Sequence, residues 1–176
     1  KDRKLSAGAY DVVADYKKLD SVLVAKFQAS DLVRNIENYQ INLNYDKIKS
    51  NGLDVDKVKE AAIECAMTFD GVLFVVDQTK IGSTDLPGEI KQLIANSYNS
   101  ARSGEIQIIV KSGYYEKGEG DDDFGTTHGT WAPYDLHIPL LFYGWGIKKG
   151  QLNREVHMTD IAPTVAALLH IQMPNG

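Results

Sequence analysis

The chain has a single cysteine, Cys65. One thiol excludes any intrachain disulfide framework. Cys65 sits beside Ala66 and Met67 in a helical pattern, so it reads as a small buried apolar residue and not as a reactive thiol. An excess of positive charge is also missing: Lys plus Arg is 19 against 24 Asp plus Glu, a net charge of -5. Without a basic patch or stripe, no nucleic-acid-binding surface is expected. No apolar run reaches the roughly 18 residues that span a bilayer, so no membrane span is expected. Lys1-Asp2-Arg3-Lys4 is followed by no apolar signal region, and there is no initiator Met. The chain therefore reads as a processed product, an engineered piece or part of something longer. Several chemical motifs are missing as well. No G-x-x-x-x-G-K-[ST] phosphate loop and no G-x-S-x-G elbow occurs. Asp121-Asp122-Asp123 lacks the alternating spacing and distal Glu of a calcium loop and reads as a solvated acidic loop, and Gly118-Glu119-Gly120 is no phosphate cradle.

What is present is 43% hydrophobic residues in 176, enough for one sizeable core. Leu19, Val22, Leu23 and Phe27 have helical spacing. Tyr39, Ile41, Leu43 and Tyr45 alternate with polar residues, the period of a half-buried strand. Asn51-Gly52 signals a turn, and Asp54 caps a helix whose stripe is Val55, Val58, Ala62, Ala66 and Phe69. Val72 to Val76 is a continuous apolar run, as in a strand covered on both faces, and Ile106 to Val110 is another strand. Between them Asp85, Pro87 and Glu89 open a helix with Ile90, Leu93, Ile94 and Tyr98 facing inward. Gly113 to Gly125 is a loop. Ile138 to Tyr143 reads as a short strand with Pro139 at an edge or bend, and Gly144-Trp145-Gly146 as a turn. Thr159 caps a last helix that buries Val165, Leu168 and Leu169. The order predicts an α/β fold whose main sheet takes a parallel contribution from 104–111 and 137–143. The expected division is a helical connecting segment at 1–38, a small strand-helix-strand insert at 39–103, and a C-terminal return at 104–176 carrying a histidine loop.

That loop runs Gly125-Thr126-Thr127-His128-Gly129-Thr130-Trp131. A histidine among small residues can be approached closely by an ion or substrate. One imidazole is a single ligand where zinc takes three or four, so any metal site here is incomplete. Taken alone, a lone His in such a loop is more often a hydrogen-bonded structural residue than a ligand. Asp135 is placed to fasten the loop, either structurally or as the outer partner of His128. His137, His157 and His170 read as local, surface and helix-end residues.

Three ordered motifs now carry a resemblance. They are the His128-Gly129 turn with Tyr134-Asp135-Leu136-His137-Ile138-Pro139-Leu140, then Gly144-Trp145-Gly146-Ile147, then Thr159 to Leu169. Weaker upstream likenesses are Ala101-Arg102-Ser103-Gly104-Glu105 before a strand and the segment from Tyr39 to Phe69. Together they resemble the alkaline phosphatase superfamily, and within it the bacterial alkaline phosphatases related to type I phosphodiesterase/nucleotide pyrophosphatases. The resemblance implies the C-terminal part of an alkaline-phosphatase-like sheet sandwiched by helices, with a small α+β insert. It implies that His128 is a zinc ligand. It further implies two zinc ions in the full-length parent and at most a partial site here. The chemistry it implies is two-metal hydrolysis of a phosphate monoester or diester through a phosphoenzyme on Thr or Ser. A periplasmic or cell-envelope location follows by the same resemblance.

The family's nucleophile, its other metal ligands and its phosphate-binding basic residues have no counterpart from Lys1 onward, so no catalytic residue is assigned in this chain. Thr126 and Thr127 belong to the histidine loop. Lys111-Ser112-Gly113-Tyr114 stands where relatives have a Pro-Gly-aromatic turn. Alone, the chain is expected to be inactive. Sulfatase or phosphomutase chemistry within the superfamily, and a stand-alone α/β regulatory or binding module, stay open on these residues. Substrate and oligomeric state are not legible.

Overall fold

A computed structural model describes residues 7–118, 120 and 128–174. The chain divides into two compact units, Lys1–Leu136 and His137–Gly176. In the first, β1 (Gly8–Asp11) leads directly into α1 (Val12–Phe27), because the Asp11 carboxylate accepts the N–H groups of Val13 and Ala14 at 3.1 and 3.0 Å. This helix starts at Val12, ahead of the spaced residues Leu19 to Phe27 that predict it. Leu19 and Leu23 are its fully buried stripe, each worth about 1.5–3 kcal/mol of burial. The helix ends at Gln28 in the left-handed conformation.

A hairpin follows, β2 (Val33–Glu37) and β3 (Gln40–Leu43), joined by Asn38 and Tyr39. Then come α2 (Tyr45–Ser50) and α3 (Val55–Ala66), the latter capped by Asp54 as expected, with Oδ1 accepting from Asp56 and Lys57 N–H. Strand β4 (Val72–Asp77), α4 (Gly88–Ser97) and β5 (Ile106–Val110) complete a four-stranded sheet in the order β2-β3-β5-β4. One face packs against α1 and α3; the other carries Val76 and Ile109 against Ile94 of α4. Every residue of β5 is buried, including Gln107, whose side-chain amide donates to the Tyr39 and Ile108 carbonyls.

Two expectations are corrected here. Strand β5 is antiparallel to both β3 and β4. The continuous run of β4 leaves Leu73 exposed, so continuous hydrophobicity reports neither full cover on both faces nor strand direction. The chain returns after α4 so that the start of β5 adjoins the end of β4, with Gln78 N–H donating to Glu105 C=O at 2.8 Å. The expected breaks at 38/39 and 103/104 also fall inside this one sheet, because β2 and β5 are both strands of it.

A further strand, β6 (Tyr114–Lys117), lies where only loop was expected and pairs in parallel with β1. Its short run of mixed polarity carries no two-residue signal. Gly71 makes room for it: with φ +74, a Cβ at this position would run into the Tyr114 ring. One turn of helix, α5 (Pro133–Leu136), closes the unit.

The second unit holds a 3-10 turn at Met158–Asp160 and α6 (Ile161–Leu169), which ends at His170 with φ 54. Pro163 lies in its first turn, and Gly144 and Gly146 take positive φ in the expected turn. Residues 138–143 form no strand among the described residues, another difference from expectation. Pro139 removes a donor, and a strand exists only with a neighbour to pair with. The helix start is also shifted. The Asp160 carboxylate accepts the His157 N–H at 2.9 Å, so His157, not Thr159, precedes the first turn. Of the three residues expected to face inward, Val165 and Leu169 are exposed, and Ala166 is the buried apolar residue.

Candidate metal-ligand loop

His128 stands between β6 and α5, with a side chain that is 95% exposed. Its Nδ1 lies 3.1 Å from Asp135 Oδ1. The other carboxylate oxygen accepts the Thr130 backbone N–H at 2.7 Å and the Thr130 hydroxyl at 3.0 Å. Asp135 is fixed in turn by α5, where its N–H donates to Ala132 C=O at 2.9 Å. Only 8% of its side chain is exposed. The His128 ring and then the Thr130 N–H hold its carboxyl below the usual carboxylate range. It therefore stays ionised at neutral pH, an acceptor able to orient an imidazole.

The loop is tied down at three further points. Trp131 packs against the small core of Val76, Ile94 and Ile109. Thr130 and Ala132 are each 8% exposed. The Tyr134 hydroxyl accepts the Gly113 N–H at 2.9 Å, joining α5 to the turn before β6. Sequence reasoning reached His128 and Asp135 but missed Thr130 and Tyr134. Neither has a periodic signal; their roles appear only when the loop folds back on itself.

The remaining expectations separate cleanly. Cys65 is buried, and burial pushes its thiol up, away from reactivity. His137 is exposed, His157 precedes a helical turn and His170 ends a helix. The acidic run Asp121–Asp123, Glu119, and Thr126 and Thr127 lie outside the described residues. Among the described residues no group of three or more His, Cys, Asp or Glu side chains is placed to hold a metal ion. The chemistry of the loop fits one zinc ligand nonetheless. An imidazole oriented by a carboxylate at Nδ1 binds metal through Nε2, so the fit is that of one ligand within a larger set.

No family model matches the chain. Curated relatives do. The chain is 44% identical over 99% of its length to a protein of Myroides odoratus named calcium-transporting ATPase. It is 44% identical over 90% to alkaline phosphatase PhoV of Synechococcus elongatus, and 42% over 93% to alkaline phosphatase PafA of Elizabethkingia meningoseptica. It spans 28–32% of the length of these relatives. Among solved structures, wild-type alkaline phosphatase PafA superposes with a TM-score of 0.89 at 39% identity, covering 98% of this chain and 32% of that one. A mutant of PafA gives 0.83 at 41% identity, covering 91% and 30%.

Proposed function

Because this chain belongs to the alkaline phosphatase superfamily, we propose that the protein it belongs to hydrolyses phosphate esters and that His128 is one of its zinc ligands. The observation that carries the reading is the pairing of His128 Nδ1 with a buried, ionised Asp135 at 3.1 Å. A regulatory module has no use for an exposed imidazole with its orientation fixed from behind. Bound zinc in such a site stabilises charge on a transferring phosphoryl group and lowers the pKa of water.

The chain's own contribution is positional. Thr130 fixes Asp135, Asp135 fixes the ring plane of His128, and Trp131 and Tyr134 fix the loop. The nucleophile and the remaining ligands of a two-metal site lie outside this chain in the proposed reading, so the chain alone is inactive and holds zinc no tighter than about micromolar. A periplasmic or envelope location belongs to the same proposal. Among the described residues no helix is long and apolar enough to cross a membrane.

The test is His128→Ala in the full-length protein, assayed on a chromogenic phosphate monoester, a diester and a sulfate ester at fixed zinc. Loss of at least about a hundredfold in turnover is expected, since metal stabilisation of the transition state is worth several kcal/mol. Thermal stability should barely change, and His170→Ala serves as the control. Near-normal turnover in His128→Ala would return His128 to a structural role. The name of the Myroides odoratus relative motivates a second reading, in which ATP is the substrate and a phosphoanhydride is cleaved. ATP in the same panel separates the two, because kcat/KM for ATP would then exceed that for the monoester.

A further inference from the structure

We infer that Tyr39 and Glu116 are positioning residues for the His128 loop, so that the tip of the β2–β3 hairpin sets where the metal-binding imidazole stands. The inference rests on the proposed reading of His128.

The starting observation is a strained backbone. Both hairpin-loop residues take positive φ, Asn38 at 52° and Tyr39 at 60°. Such two-residue turns suit right-twisted hairpins and normally use Asn and Gly. Tyrosine at the second position is unexpected, because a bulky side chain disfavours this region. Residues held in that state persist where their surroundings over-determine them, and at Tyr39 they do. Its C=O accepts the Ile108 N–H at 2.7 Å and the Gln107 side-chain amide at 3.1 Å. Its N–H donates to Glu116 Oε2 at 2.6 Å, while the Asn38 N–H donates to Oε1 of the same carboxylate at 3.2 Å. Its hydroxyl accepts the Glu116 N–H at 2.8 Å.

Tyr39 and Glu116 thus hold one another reciprocally, across 77 residues of sequence. Glu116 belongs to β6, the strand before the histidine loop. On the far side of the loop's histidine, the ring of Tyr39 lies beneath the Gly129 backbone, 3.7 Å from where a Cβ would stand. The same ring stacks on Tyr10 of the main core at 6.2 Å. A glycine in the hairpin would relieve the strain and lose every one of these side-chain contacts. The contacts therefore account for a tyrosine at this position, and they run from the core to the residue next to His128.

The experiment compares Tyr39→Phe and Glu116→Gln, both near-isosteric, and their double variant. The first readout is amide hydrogen exchange in this chain. Thr130 N–H, which bonds Asp135, should exchange at least about tenfold faster in each variant, while the β4–β5 amides keep the wild-type rate. The second readout is zinc affinity of the full-length protein by chelator competition. A loss of about tenfold is expected for each single variant, and no further loss in the double, because one clamp is removed either way. Equal acceleration at Thr130 and in β4–β5 would mean a general stability role and would overturn the inference. So would unchanged zinc affinity in both variants when His128→Ala lowers it. If His128→Ala itself leaves zinc affinity unchanged, it is the ligand reading that has failed.

Discussion

Leu19 and Leu141 are the same side chain in opposite situations: Leu19 is fully buried, whereas Leu141 is 85% exposed. The contrast extends to the two units. The first closes its apolar residues into one main cluster around the sheet and a smaller one under α4. The second exposes Tyr143 at 98% and Trp145 at 86%, and buries Ala166. A contiguous exposed apolar stretch is the mark of an interaction surface. The first unit thus draws its stability from internal packing, while the conformation of residues 138–145 owes little to burial within the chain. His128 and Asp135 sit on the well-packed side, at the edge of the second core. The proposed ligand reading needs a rigid support for His128, and packing around Trp131 supplies one.

The largest test of this contrast is Lys59→Ala. Lys59 is a nearly buried cation, 2.7 Å from Asp77 and 3.3 Å from Asp56. Burial opposes its charge, but the hydrogen bond and attraction from Asp77, then Asp56, outweigh it and raise its pKa. Removing the ammonium leaves the largely buried Asp77 carboxylate unpaired, at an expected cost of about 3–5 kcal/mol in urea denaturation. Lys149→Ala, exposed in the second unit, should stay within about 0.5 kcal/mol.

Leu19→Ala and Leu141→Ala make the same comparison without charge. The first should lose about 2–5 kcal/mol through lost burial and a cavity. The second should lie within about 0.5 kcal/mol. Equal losses would show that the two units are not packed differently. Asp54→Ala comes next, with an expected loss of about 0.5–2 kcal/mol from the uncapped α3.

The same contrast explains what could be read from the sequence. Helix α3, β4, α4 and β5 were legible because each buries a face within the first unit, although Leu73 of β4 and Leu93 of α4, both expected to be covered, are exposed. Strand 138–143 and the inward Val165 and Leu169 were misread because their apolar residues find no cover among the described residues. Hydrophobic patterning says that a face wants burial, not that the chain supplies it. Within the site, His128 and Asp135 stood out through local residue types and the family resemblance. Tyr39 and Glu116 did not, since a contact across 77 residues leaves no local trace. Strand direction was illegible for a related reason: it depends on how the chain returns after α4.

The smallest expected effect is a pH slope confined to the first unit. Asp15 lies in the first turn of α1, partly buried. Burial pushes its carboxyl from 3.8 to about 6; Lys18 opposes the shift, and Asp11 and Asp70 add to it. The unfolded carboxyl titrates near 3.9. Between roughly pH 4 and 6 the folded state therefore binds more protons than the unfolded state, and stability falls as pH rises through this window. The group is still partly in water, so solvent screening keeps the slope shallow. Below about pH 4 the sign reverses. Against the cost of its burial, the Lys59 ammonium holds the Asp77 carboxyl below the usual carboxylate range, so Asp77 contributes with the opposite sign. That contribution is lost as pH falls through its folded value. The measurement is the urea midpoint from pH 4.5 to 7, followed by Trp131 fluorescence in a Trp145→Phe background so that the signal comes from the packed unit. Asp15→Asn should flatten the slope and raise the midpoint at pH 7. An unchanged slope in Asp15→Asn would locate the pH dependence elsewhere and remove Asp15 from the account of the first unit's stability.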